Sequence, residues 1–71
     1  MIADVKIDGE KVRAAREGAF LSKRELAERA DMNRNTVWRI EGSGLTEVHP
    51  RTIRKIAEAL SVDPASLTPQ E

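Results

Sequence analysis

The chain has 71 residues, 39% of them apolar, and balances 12 Lys and Arg against 12 Asp and Glu for a formal net charge of zero. That length supports one domain with a small core, and the balance excludes gross basicity as a sign of nucleic-acid binding, so any such sign must lie in where the charges sit. Absence of cysteine and a single histidine, His49, exclude disulfides and thiolate or multi-histidine metal sites, so no metal and no cofactor is expected.

Residues 2–7 alternate briefly and could be an extended arm or a short strand. Asp8-Gly9 is a turn signal, and Asp8 can also cap a helix beginning there. Helix one is predicted over 10–19, with Val12, Ala15, Arg16 and Ala19 on one face. Ser22-Lys23-Arg24-Glu25 fits a capping box and starts helix two, whose buried stripe is Leu26, Ala27 and Ala30. Asp31-Met32-Asn33 breaks that helix, and Asn33 caps helix three, predicted over 34–41 and ended by Gly42-Ser43-Gly44. A loop runs to His49. Pro50 suits the first turn of helix four, striped by Ile53, Ile56, Ala57 and Leu60, and Ser61 takes its stop position. Asp63-Pro64 predicts a fifth short helix over 64–67, with a frayed tail over 68–71. Nine alanines and only two aromatics, Phe20 and Trp38, favour helices, so the expected fold class is all-α with five helices. The expected divisions are an arm over 1–9, a domain over 10–67 and the tail.

Helices two and three, spanning 22–41, have the layout of a helix-turn-helix. Ala27 is small where the helices must approach, Asp31 stands at the turn, and Met32, Val37 and Ile40 are apolar where such a unit buries them. The strings Ala15-Arg16-Glu17, Leu21-Ser22-Lys23-Arg24-Glu25-Leu26-Ala27, Asn35-Thr36-Val37-Trp38-Arg39-Ile40-Glu41-Gly42 and Thr52-Ile53-Arg54-Lys55-Ile56-Ala57-Glu58-Ala59-Leu60 jointly are specific. On them the chain resembles the lambda-repressor-like family of DNA-binding domains, of the Cro/cI or XRE type, from about Glu10 to Leu67. The resemblance implies a compact DNA-binding domain whose third helix enters the major groove. It also implies that Arg16 and Glu41 form a structural ion pair. Departures from the family pattern are Lys23 in place of a common glutamine, Phe20 and Asp31 where glycine is frequent, Asn33 for a serine cap, and Ser61 for a glycine. The 43–48 loop carries Glu47 and no Lys or Arg.

The helical wheel of 34–41 supports the DNA reading independently. Val37, Ile40 and Glu41 cluster on one side, and Arg34, Asn35, Trp38 and Arg39 on the other. From Arg34 to Lys55 five cations face two anions, a local excess of three in a neutral chain, and a focused positive face attracts phosphate. Arg can grip guanine and Asn adenine in two-pronged fashion. Candidate base contacts are therefore Arg34, Asn35, Trp38 and Arg39, the indole lying against sugar or a thymine methyl. Candidate phosphate contacts are Ser22 and Lys23 at the start of helix two, Asn33, Arg51 and Lys55. The plain alternatives are a solvated face for Arg34, Asn35 and Arg39, partial packing for Trp38, a cap alone for Asn33, and surface roles for Lys23 and Arg51. His49 reads as a loop histidine and no ligand. Arg13 with Glu17, Arg54 with Glu58, Arg24 with Glu28 and Glu25 with Arg29 are expected to pair along their helices.

The expected function is sequence-specific binding of double-stranded DNA by a transcriptional regulator, a repressor by preference, with a homodimer on a palindromic operator as a possible state. No constellation of catalytic residues is present in the sequence, so no enzyme is expected. Alternatives are the antitoxin of a toxin–antitoxin pair, with the toxin as protein partner, and a module for protein–protein interaction alone. No dimerisation domain is visible; Val62, Leu67 and the Val5/Ile7 arm are the spare apolar groups. Apolar runs are far short of a membrane span, and Met1–Lys6 carries no signal-peptide pattern, so the cytoplasm is the expected location.

Overall fold

A computed structural model describes residues 4–69. Val5–Asp8 form strand β1, and Asp8 then turns directly into helix α1, Gly9–Gly18, accepting the Glu10 amide at 2.9 Å as its N-cap. Helix α2 spans Lys23–Arg29 and helix α3 Arg34–Ser43. Strand β2, Leu45–Val48, runs antiparallel to β1, with Val5 opposite Val48, Lys6 opposite Glu47 and Ile7 opposite Thr46. Helix α4, Pro50–Leu60, and a 3₁₀ turn at Pro64–Leu67 complete the described chain.

Two expectations are corrected. The fold is mostly helical, not all-α: the arm and the 43–48 loop pair into a two-stranded sheet. Ile7 and Val48 face the core, while Lys6 and Glu47 sit opposite one another with unlike charge, an arrangement that favours pairing. The expected fifth helix is a 3₁₀ turn, so there are four α-helices among the described residues. Asp63 caps that turn through the Ala65 amide at 2.9 Å, and Leu67 is buried. Thr68 is tied down, its carbonyl accepting from Lys11 Nζ at 2.9 Å. Ile2 and Ala3 of the expected alternation, and the last two residues of the tail, lie outside the described residues.

The core draws on every element: Ile7, Val12, Leu26, Val37, Ile40, Ile56 and Leu67 are fully buried. The stripe of α4 faces inward as its spacing requires, with Ile53, Ile56, Ala57 and Leu60 all buried. On α1, Val12 and Arg16 are buried, but Ala19 lies past the helix end and is exposed. Met32 is half-buried. Gly9 sits hard against α3; a Cβ there would collide with the Ile40 carbonyl oxygen and lie 3.0 Å from the Glu41 Cα. Its amide donates to the Gly44 carbonyl at 2.5 Å, joining the start of α1 to the end of α3.

Helices α1, α2 and α4 stop in the same way. Phe20, Asp31 and Ser61 have φ of 60°, 55° and 58°, in the left-handed region. After each comes a residue whose amide reaches back five positions: Leu21 to Arg16, Met32 to Ala27, and Val62 to Ala57. This is the Schellman stop, and its next residue is apolar in all three cases. No helix among the described residues is long and apolar enough to cross a membrane.

Candidate nucleic-acid interface

The helix-turn-helix is set up by its caps. Ser22 Oγ accepts from the Glu25 amide at 3.0 Å, and Glu25 Oε1 accepts from the Ser22 amide at 2.8 Å, so the capping box is complete. The two bonds from Ser22, that from its backbone amide foremost, hold the Glu25 carboxyl below the usual glutamate range. Asn33 Oδ1 accepts from the Asn35 amide at 2.8 Å and starts α3. Ser22 and Asn33, two of the side chains expected to meet phosphate, are thus already helix caps through their oxygens, and the Ser22 hydroxyl is also turned to the Glu25 carboxyl; the Asn33 amide nitrogen remains available to a ligand.

Helix α3 buries Val37 and Ile40 and exposes Arg34, Asn35, Trp38 and Arg39, the separation its wheel gives. It runs two residues beyond the expected end, to Ser43, whose hydroxyl donates to the Arg39 carbonyl at 2.6 Å. Glu41, the acid of this helix, is turned inward. Arg16 Nε donates to its Oε2 at 2.8 Å and Nη2 to its Oε1 at 3.0 Å. Arg16 is 8% exposed, and the Glu41 side chain only 2%. The hydrogen bonds to Glu41 outweigh burial and raise the Arg16 pKa. Arg16 Nη1 also donates to the Leu21 carbonyl at 2.8 Å, fixing the turn before α2. The pair therefore neutralises the one carboxylate of α3 internally.

Arg51 is exposed and Lys55 half-buried on α4. With Thr52 they line a groove of about 310 Å³ whose far wall is Met32 and Thr36. Sequence reasoning missed Thr36 and Thr52; the i, i+4 spacing of Arg51 and Lys55 signals one wall, but only packing brings α3 across from it. His49 lies in the same groove, and it is more than a loop residue: its Nδ1 accepts from the Arg51 amide at 3.0 Å and caps α4. Lys23, half-buried, places its ammonium 5.1 Å from the centre of the Trp38 ring. That contact across the helix-turn-helix was also unforeseen.

Arg34, Arg39, Arg51 and Lys55 make no side-chain ion pair or hydrogen bond among the described residues. Arg13 pairs with Glu17 at 3.2 Å and Arg24 with Glu28 at 3.8 Å, as their spacing suggested. Arg54 with Glu58 and Glu25 with Arg29 do not come within ion-pair distance, so correct spacing did not ensure a contact there. No group of acids and histidine able to hold a metal occurs among the described residues.

The helix-turn-helix domain family matches residues 9–69. The structure is similar to the restriction-modification controller protein C.AhdI from Aeromonas hydrophila, with 30% identity, a TM-score of 0.74, and coverage of 82% of this chain and 86% of that one. It is also similar to part of a mutant hydroxyethylphosphonate dioxygenase, at 25% identity and a TM-score of 0.77. A cadmium-containing PhpD structure shares the fold at 23% identity and a TM-score of 0.76. This chain spans only 14% of each of those two. Comparison with curated proteins gives no match. With a family match over nearly the whole chain, and with the α2–turn–α3 unit capped, packed and tied by Arg16 and Glu41, the chain belongs to the helix-turn-helix domain family in its lambda-repressor-like branch.

Proposed function

We propose that this domain binds double-stranded DNA sequence-specifically and represses transcription by occupying its site. The observation that carries the reading is the exposed face of α3. Arg34, Asn35, Trp38 and Arg39 stand together there, neither arginine is ion-paired among the described residues, and the acid of the helix is buried against Arg16. An α-helix fits the major groove, where Arg reads guanine and Asn adenine. Arg51 and Lys55 then meet phosphates on one flank, together with Asn33, which adjoins Met32 in the wall of their groove, while Ser22 and Lys23 lie at the start of α2. The role is binding and not catalysis, carried out in the cytoplasm. Domains that dock this way commonly act as dimers on half-sites about one helical turn apart, and we extend that to a homodimer here. The similar C.AhdI is named as a controller of a restriction-modification system, which is in keeping with a regulator.

Selection from random duplexes tests the reading. Enrichment of one motif, with binding that weakens steeply as salt rises, is the expected result. Failure to enrich any duplex would leave the second reading, a module docking on protein. That reading is favoured by the zero net charge and by the same fold occurring within the much longer dioxygenase chains.

A further inference from the structure

We infer that Lys23 acts on DNA through Trp38, as a positioning residue that holds the indole against a thymine methyl group, and not as an independent phosphate clamp. The inference rests on the DNA-binding reading and adds to it a base preference and the residue that enforces it. Lys23 is the first residue of α2, and Trp38 lies in the second turn of α3, so their contact bridges the break between the two helices. The ammonium stands 5.1 Å from the ring centre and has no carboxylate partner among the described residues. A cation over an indole face is attracted by the ring's negative face. Trp38 is nevertheless 45% exposed, so the ring keeps free surface for a ligand. It shares its exposed face with Arg34 and Asn35. In the major groove the apolar feature available to an indole is the thymine C5 methyl; the other groups at the base edges there are hydrogen-bond donors and acceptors. An exposed tryptophan with an unrestrained ring would meet that methyl in many orientations. The ammonium narrows them, and its remaining N–H groups stay directed at solvent or phosphate.

The test uses the whole chain, a duplex recovered by random-sequence selection, and the same duplex with its thymines replaced by deoxyuridine, which removes only methyl groups. Wild-type protein should bind the uracil duplex about fourfold more weakly, the value of one lost apolar carbon contact. Lys23→Arg keeps a cation on the ring and should retain that loss. Lys23→Met should lose most of that difference, and Trp38→Gln, which puts a polar side chain there, should bind the two duplexes equally. Trp38 is the single tryptophan, so its emission in the free protein should differ between wild type and Lys23→Met. Thermal melts confirm that each variant is folded, and Lys23→Gln replaces Lys23→Met if the latter melts early. A Lys23→Met protein that weakens on both duplexes by one factor and keeps the methyl effect overturns the inference, because Lys23 then acts alone. Wild-type indifference to the methyl overturns it as well. A wild type that enriches no duplex defeats the DNA reading itself, and the inference with it.

Discussion

Arg16 and Glu41 join the last turn of α1 to the last turn of α3 through two hydrogen bonds of 2.8 and 3.0 Å, almost wholly out of water. The pair does two things at once. It ties α3 to α1 on the inward side, and it neutralises the single acid of α3 within the domain. Taking away one partner strands the other as a buried charge. Arg16→Ala and Glu41→Ala should each cost about 3–5 kcal/mol, enough to unfold much of so small a domain. A double replacement by well-packed apolar residues should recover part of this. Recovery stays incomplete because the Leu21 carbonyl loses its Arg16 donor. Thermal melts of the three variants decide the matter, and near-neutral single variants would show that the pair is not buried in solution.

The helix stops make a prediction in the opposite direction. A left-handed residue with a Cβ costs roughly 1–2 kcal/mol, part of which glycine gives back in the unfolded chain. Phe20 is 92% exposed, so truncating it sacrifices little packing. Phe20→Gly should therefore stabilise by about 1 kcal/mol, raising the melting temperature by roughly 4–8 °C for a domain of this size. Asp31→Gly should gain less, since Asp tolerates this conformation better. A lower melting temperature for Phe20→Gly would contradict the backbone described at φ 60°.

Gly9 is constrained by space. Gly9→Ala forces a methyl into the Ile40 carbonyl at the point where β1, α1 and the end of α3 converge. The expected loss is about 1–3 kcal/mol, the usual cost of overpacking. Gly18→Ala, with nothing near its Cβ, is the control and should not destabilise. Equal melts for the two would remove the close approach.

Acid sensitivity should trace in part to the α2 capping box. Because the Glu25 carboxyl is held below its ordinary value of 4.5, its contribution is present above that pH and is lost as pH falls through the lowered folded value. Glu25→Gln should flatten this part of the acid limb in melts taken from neutral to low pH. Ser22→Ala should cost about 1 kcal/mol at neutral pH. An unchanged acid limb in Glu25→Gln counts against the box.

On DNA the two surfaces should fail differently. Arg34→Ala, Asn35→Ala or Arg39→Ala should cost roughly 1–3 kcal/mol on a selected site and relax choice at one base position. Arg51→Ala or Lys55→Ala should weaken selected and scrambled duplexes alike and reduce the salt slope by about one. The total slope of log K against log salt should be about −3 to −5 per subunit, set by few phosphate contacts. Titrations across salt provide all of these values, and equal losses on both duplexes for Arg34→Ala would show that α3 is not the reader.

Features that depend on neighbours along the chain were legible in the residues themselves. The Ser22–Glu25 box, the Asn33 cap, the α4 stripe and the two-sided wheel of α3 each come from spacings of two to four residues, because local backbone geometry alone decides who can meet whom. The stops at Asp31 and Ser61 belong here too; the left-handed turn at Phe20 does not, since a bulky aromatic gives no local signal for it. The Arg16–Glu41 pair was reachable only through family resemblance, as nothing local links those positions. Tertiary packing alone decided the rest. Strands β1 and β2 are four residues each and separated by three helices, so neither carries a hairpin signal; they form because α1 and α3 hold their ends together through Gly9 and Gly44. Likewise, the ammonium of Lys23 reaches Trp38, and Thr36 faces Arg51 and Lys55 across a groove, only once α2 and α4 have docked on α3. The order of residues fixes which face of each helix is wet, but the surface that a partner meets is assembled from several such faces, and their relative placement is set by how the shared core closes.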